Sequence, residues 1–246
     1  MRLWEQGVDR KTKIADECGK KNACKESGTV DITVHEVGEK GDLREIHRAD
    51  GGAWGGPKVD EAFLSFLGKI TGFKVMDVYK DQHMEDYIGL MLDFEMKKRE
   101  IMPDKDTKVT IKCPPALVEM VQFMGDKLRM DHEVAKGFFQ MPIDRMVEKI
   151  KQLLDDPVNA GVEAIRMVGG FSDSPLLQDA VRSNFPKLML VIPPEAGLAV
   201  LKGAVIFGHS PQVISQRVSK YTYGIETCIE FDKDEHPEEY MFENND

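Results

Sequence analysis

Gly28-Thr-Val-Asp-Ile-Thr-Val34, with the turn Gly38-Glu-Lys-Gly-Asp42 and the run 43–49 that follows it, decides the fold class of this 246-residue chain. Val30, Ile32 and Val34 alternate with Asp31, Thr33 and His35, which is the period of a strand with one buried face. The glycine turn lets 43–49 pair back, so a hairpin is expected. A tight turn, Ser27-Gly28-Thr29, precedes the first strand. A glycine-rich loop, Asp50-Gly-Gly-Ala-Trp-Gly-Gly-Pro57, follows the second. Glycine allows backbone N–H groups to approach a phosphate with no Cβ in the way. The hairpin is therefore flanked by two turns suited to an anion.

Working outward, residues 59–70 are helical by spacing, with Val59, Phe63, Phe66, Leu67 and Ile70 on one face. Residues 84–100 predict a second helix with Ile88, Met91 and Leu92 inward. A short strand is expected at 108–112, then helices at 115–130 and 143–154. The last of these has one clear stripe of Ile143, Met146, Val147, Ile150, Leu153 and Leu154. There follow a strand at 164–168, the turn Gly169-Gly170, a helix from Pro175, a strand at 188–192 and a helix at 195–207. Residues 1–27 carry little periodicity and many charges, and Lys20-Lys-Asn-Ala-Cys-Lys-Glu26 reads as loop. A hairpin leading into strand, helix, strand and helix implies a mixed sheet with helices on its faces, an α/β fold.

Composition narrows the function classes. The chain is 41% hydrophobic and 31% charged, ordinary for a soluble globular protein. Its longest apolar run, 188–192, is strand-sized, so no membrane span is expected. The first residues lack an apolar signal core, and the four cysteines, at 18, 24, 113 and 228, contain no CxxC pair. A reduced, cytoplasmic setting is expected, without zinc or a redox motif. A net charge of −10 argues against nucleic acid as a partner. Residues 230–246 hold a net −7 of it and read as a solvated acidic tail. The six histidines show no metal-ligand spacing, and no GxSxG elbow is present.

Glu95-Met-Lys-Lys-Arg99 places Glu95, Lys98 and Arg99 at i, i+3 and i+4, on one helix face. In isolation this is a surface ion pair worth a few tenths of a kcal/mol. The same geometry also suits an adenosine. A carboxylate and an ammonium can hold the two ribose hydroxyls while a guanidinium lies flat on the purine. Gly169-Gly170, after a strand and before the Pro175 helix, has the layout that aims a helix N-terminus at an anion.

These segments resemble the nucleotide-binding domain of the 70-kDa heat shock protein family. Gly28-Thr-Val-Asp-Ile-Thr-Val34 is similar to that family's second phosphate loop, of pattern DxGGGTxD. Trp54-Gly-Gly56 resembles the next glycine loop, and Glu95, Lys98 and Arg99 match the E-x-x-K-R adenosine helix. Val168-Gly-Gly170 matches the adenosine loop, and Gly197-Leu-Ala-Val-Leu-Lys-Gly-Ala204 looks like the interlobe helix. The five appear in family order over residues 28–234. Val218-Ser-Lys-Tyr-Thr-Tyr-Gly-Ile-Glu226 is similar to the heat shock 70 kDa protein 12-like branch.

The resemblance implies an actin-like, ribonuclease-H-like α/β lobe with an inserted helical subdomain. The implied layout is an unmatched segment at 1–27, a lobe base at 28–56 and 138–230, an insertion at 57–137 and the tail at 231–246. It implies ATP or ADP with Mg2+ as ligand. Backbone at Gly28, Thr29, Gly55 and Gly56 would meet phosphate, and Glu95 and Lys98 the ribose. Arg99 would stack on the base above Gly169 and Gly170, and Asp31 would hold Mg2+ through water.

Departures from the family pattern bear on the ATPase activity it implies. Counting five residues back from Thr29, the family's aspartate position is Cys24, and its two glycines are Glu26 and Ser27. The usual serine and arginine of the adenosine loop are Phe171 and Asp173, and the usual serine after the adenosine helix is Met102. No first phosphate loop precedes residue 28. The expectation is thus a second lobe alone, truncated, with weak nucleotide binding, no catalytic residues of its own and apolar surface left for protein partners or self-association. Two rivals stand beside it. One is an interaction module that keeps the lobe and binds no nucleotide. The other is an actin-like sugar kinase, which the Glu-x-x-Lys-Arg helix disfavours.

Overall fold

The computed structural model describes residues 10–16, 28–39, 41–122, 125–219, 221–224, 231–238 and 241. It is a mixed α/β fold. In chain order the elements are β1 (Arg10–Asp16), β2 (Val30–Val37), β3 (Leu43–Gly52), α1 (Gly56–Thr71), α2 (Phe73–Gln82) and α3 (Met84–Lys98). Then come β4 (Val109–Lys112), α4 (Pro115–Val121), β5 (Lys127–Met130), α5 (His132–Asp155) and β6 (Val162–Met167). The last are α6 (Pro175–Asn184), β7 (Met189–Val191), α7 (Ala196–His209) and β8 (Ile214–Gln216).

Six strands form the main sheet in the order β7-β6-β1-β2-β3-β8. The expected hairpin is β2–β3, antiparallel from Val30↔Gly52 to Val37↔Leu43. Its loop closes where Gly38 N donates to Asp42 O at 2.8 Å. Val30, Ile32 and Val34 are buried, as their period demanded. Gly51 must be glycine, because a Cβ there would lie 1.8 Å from Val30 O.

The sheet takes in a strand from the segment 1–27, where the sequence shows little periodicity. β1 lies in its centre, antiparallel to β2 and parallel to β6. Arg-Lys-Thr-Lys-Ile-Ala-Asp has Ile14 as its one large apolar residue, too little pattern to announce a strand. Pairing on both sides makes it one, since each neighbour supplies a ladder of backbone hydrogen bonds. The segment Lys21-Asn-Ala-Cys-Lys-Glu26, read as loop, lies outside the described residues.

The helical part is built on aromatic packing. Phe63 of α1 stacks on Phe94 of α3 with centroids 3.9 Å apart, and Phe138 of α5 meets both edge-on at 6.0 and 6.1 Å. Such pairs add about 0.5–1.5 kcal/mol each beyond their area burial. α3 is thereby pinned between α1 and the strand β4. Its inward face corrects expectation. Leu90, Phe94 and Lys98 are buried, whereas Ile88 and Leu92 are 50% and 60% exposed and Met91 is half-buried. Both faces of this helix carry apolar residues, so periodicity alone did not say which one turns inward.

Two further elements differ from the sequence reading. The helix expected over 115–130 ends at Val121, where Gln122 takes a left-handed φ of 55°. Lys127–Met130 instead pairs antiparallel with β4. The helix expected to begin at Ile143 begins at His132 and runs through Pro142. Proline removes one helical hydrogen bond. The continuous buried stripe of Ala135, Phe138, Phe139, Pro142 and Met146 carries the helix past it. The boundary expected between 137 and 138 therefore falls inside one helix.

α7 is apolar and bare. Leu198, Leu201, Val205 and Ile206 are 48%, 65%, 57% and 60% exposed. Its first turn is anchored to the Gly169 turn, where Gly169 N donates to Ala196 O at 2.9 Å. No helix among the described residues is long and apolar enough to cross a membrane.

Candidate functional site

Three segments nominated separately meet at one end of the main sheet. Gly55 N donates to Gly28 O at 2.9 Å, so the turn before β2 and the loop after β3 lie against each other. A Cβ on Gly28 would stand 2.6 Å from Pro57 Cγ, which explains the glycine by close approach. Thr29 is half-buried beside it. α1 then starts at Gly56 with Gly55 as its cap, no side-chain cap bond and no acid in its first turn. The positive end of its dipole is left for another negative group.

A cavity of about 290 Å³ opens there. Gly56, Glu95, Lys98, Arg99 and Gly170 line it, together with Pro57, Asp60, Phe139, Phe171, Asp173 and Ser174. Gly55 and Gly169 adjoin lining residues in the chain and Gly28 packs against Pro57, but none of these, nor Thr29, lines the cavity. Asp31 sits apart on β2, paired with Gly51 of β3. A larger groove of about 500 Å³ between α5 and α6 is lined by none of the nominated residues.

The charges are tightly interlinked. Lys98 is 8% exposed because it continues the inward stripe of Leu90 and Phe94. Its Nζ donates to Asp60 Oδ1 at 2.8 Å and is ion-paired with Glu95 Oε2. Arg99 Nε and Nη2 both donate to Glu95 Oε1, at 2.9 and 2.6 Å. Burial pushes the Glu95 carboxyl up, but the hydrogen bonds from Lys98 and Arg99 outweigh it and hold it below its ordinary value. For Asp60 burial wins over the Lys98 bond, and its carboxyl is raised. The trio is thus both a bland i, i+4 ion pair and the wall of a cavity.

The Gly169-Gly170 turn supplies the opposite wall. Gly169 has φ +90°, which favours glycine, and its carbonyl accepts from Ser172 N at 3.1 Å and Ser172 Oγ at 2.5 Å. Phe171 lies parallel to Phe139, with centroids 6.3 Å apart and planes 16° apart. Phe171 thus adds an aromatic ring to the cavity wall, and Asp173 brings a carboxylate to it. Met102 gives only its carbonyl, 2.8 Å from His132 Nε2.

Sequence reasoning missed Asp60 and Phe139. Both lie on apolar-facing helix turns, and nothing local marks them as cavity residues. It also missed the place of Asp16. The β1–β2 register makes Asp16 the partner of Asp31. Counting back from Thr29 arrives instead at Cys24, which lies outside the described residues with Glu26 and Ser27. In the fold, the acid across from Asp31 is Asp16. The available signal was an apolar pair, Ile14-Ala15, ending in an acid.

The cavity is small for a ligand pocket. Ligand pockets usually measure roughly 300–1,000 Å³, and this one stands at the lower edge. A Cβ on Gly56 would meet only Lys98 Nζ, at 3.6 Å, so glycine there leaves room toward the ammonium. No cluster of three or more metal-ligating side chains is present among the described residues.

The chain is similar to known proteins along most of its length. It is 33% identical over 237 residues to heat shock 70 kDa protein 12A of Mus musculus, covering 87% of this chain and 35% of that protein. It is 31% identical over 263 residues to heat shock 70 kDa protein 12B of Homo sapiens, covering 97% and 37%. It is also 25% identical over 211 residues to chaperone protein DnaK of Picrophilus torridus, covering 81% and 33%. The chain thus spans about a third of the length of the relatives it matches. No protein-family model matches it.

Proposed function

The chain carries part of a nucleotide-binding domain of the 70-kDa heat shock type, and on that premise we propose that it binds an adenine nucleotide, ATP or ADP with Mg2+. The observation that carries this reading is the convergence of Gly56, Glu95, Lys98, Arg99 and Gly170 on one cavity. These positions were nominated from three distant stretches of sequence. Glu95 and Lys98 hold the ribose hydroxyls. Arg99 lies against the base on one side, and Gly169 and Gly170 support it on the other. Backbone N–H groups around Gly28, Thr29, Gly55 and Gly56 take the phosphates. Bound Mg2+ would neutralise phosphate charge, and Asp31 is the carboxylate that would orient its water. The proposed body is an actin-like, ribonuclease-H-like lobe with a helical insertion, serving a chaperone-related role in the cytoplasm. The bare face of α7 is proposed to meet a second lobe.

Hydrolysis requires water, metal and γ-phosphate to be placed together. A single lobe leaves the phosphates open to water, where each charged contact is diluted by the high dielectric. Binding without efficient turnover is the expected behaviour, with dissociation constants in the micromolar range or weaker.

A second reading has its own support. Lys98 and Arg99 are already neutralised by Asp60 and Glu95, as in a structural network that needs no ligand. On that reading the lobe is an interaction module that binds no nucleotide.

Calorimetry separates the two. Wild type should bind MgADP and MgATP. Gly56→Val should lose binding while keeping its melting temperature, since the added atoms enter the open side toward Lys98. An absence of binding heat from any adenine nucleotide would sink the nucleotide reading and favour the module.

A further inference from the structure

We propose that the outer face of α3 is a self-complementary docking surface whose occupant is the same helix of a second copy of this chain. The two helices run antiparallel about a two-fold axis through Leu92. The stripe Ile88, Leu92 and Met96, spaced by four residues, is 50%, 60% and 60% exposed. A surface helix ordinarily keeps its outward face polar, so this stripe calls for a cover.

The charges at its ends identify that cover. Glu85 lies a turn before Ile88 and Arg99 a turn after Met96, on the same side of the helix. Glu85 is as far before Leu92 as Arg99 is beyond it. With the helices antiparallel and Leu92 on the axis, Ile88 of one copy meets Met96 of the other, and Glu85 meets Arg99. Two-fold symmetry makes each contact twice. A parallel pairing would instead set Glu85 against Glu85 and Arg99 against Arg99. Glu85 has no ion pair among the described residues. Arg99 keeps Glu95 through Nε and Nη2, and its guanidinium has five N–H donors in all.

Gly89 supports the same cover independently. It lies in the middle of α3, is exposed, and a Cβ there would meet nothing within 4 Å. Glycine inside a helix is about 1 kcal/mol less favourable than alanine. The fold of one chain does not require it, whereas the close approach of a second backbone does. One helix pair falls below the roughly 1,200 Å² of a standard interface, so a reversible dimer dissociating at micromolar concentration is expected.

Sedimentation velocity of the full chain over a concentration series tests this, with thermal melts to check that each variant is folded. Wild type should pass from monomer to dimer. Leu92→Glu brings two carboxylates together on the axis and should weaken the dimer at least about tenfold. Leu201→Glu on the equally bare α7 should leave it unchanged. Glu85→Arg and Arg99→Glu should each fail to dimerise alone yet dimerise with each other, because only the mixed pair restores opposite charges at both ends. Leu92→Cys should give a disulfide-linked dimer on mild oxidation, and Met84→Cys should not exceed the wild-type background. A wild type that stays monomeric, a dimer broken by Leu201→Glu but not by Leu92→Glu, or two charge variants that do not rescue each other would each overturn the proposal.

Discussion

The Lys98 ammonium of α3 donates to Asp60 of α1 at 2.8 Å and is ion-paired with Glu95 one turn back along its own helix. The Lys98 side chain is almost wholly removed from water, and its two carboxylate partners offset the cost of that burial. It joins the core to the cavity: the residue four before it is Phe94, stacked on Phe63.

Lys98→Met should therefore destabilise the chain by about 1–3 kcal/mol, the range for removing a charged hydrogen-bonding partner from a partly buried group. Asp60→Asn should cost less, since the Asp60 carboxyl is already raised by burial and Lys98 retains Glu95. Urea denaturation of the two variants measures the difference. A larger loss for Asp60→Asn would contradict this assignment of roles.

Arg99 separates the clamp from the surface pair. Its side chain is 64% exposed, so Arg99→Ala should cost only a few tenths of a kcal/mol in folding. Against a purine, the lost cation–π contact should weaken adenine nucleotides by about 0.5–2 kcal/mol. Thermal melts of both proteins with and without ATP give both quantities. Equal ligand-induced shifts would leave Arg99 as a surface ion pair with Glu95.

The proposed role of Asp31 sets a metal-dependence prediction. Mg2+ should tighten ATP binding by wild type, and Asp31→Asn should remove most of that gain. Affinity in EDTA should hold or improve in the variant, because a negative charge has gone. Titrations in Mg2+ and in EDTA decide this. Equal losses in both buffers would make Asp31 structural.

His35 predicts a pH response with a definite sign. It is 8% exposed and faces Glu45 in the β2–β3 register, and its Nδ1 lacks a hydrogen-bond partner among the described residues. Burial lowers its pKa, outweighing the pull of the Glu45 charge. The folded state thus binds the proton less readily than the unfolded one. The stability linked to His35 is complete above the unfolded value near 6.5 and is lost as pH falls through the folded value. Glu95, also depressed, adds a loss of the same sign below its ordinary value near 4.5. Denaturation at pH 7.5 and pH 5 should show wild type losing more stability than His35→Leu. The same pH difference in both proteins would rule out His35 as the source.

The sequence by itself determined the parts whose signal is local. Period two over Val30, Ile32 and Val34, a glycine turn, and period 3.6 over Val59, Phe63 and Leu67 are short-range patterns that side-chain direction imposes on any chain of that conformation. The nomination of Glu95, Lys98 and Arg99 was of the same kind, because i, i+3 and i+4 share a helix face wherever the helix lies. Tertiary structure decided what depends on distant partners. β1 is a strand because β2 and β6 hydrogen-bond to it on either side, and Asp16 faces Asp31 because that pairing fixes a register that a linear count cannot see. α3 turns Leu90 and Phe94 inward, rather than Ile88 and Leu92, because Phe63 and Phe138 wait on that side. Asp60 and Phe139 line the cavity for the same reason: a helix face acquires its neighbours only when the other helices are in place.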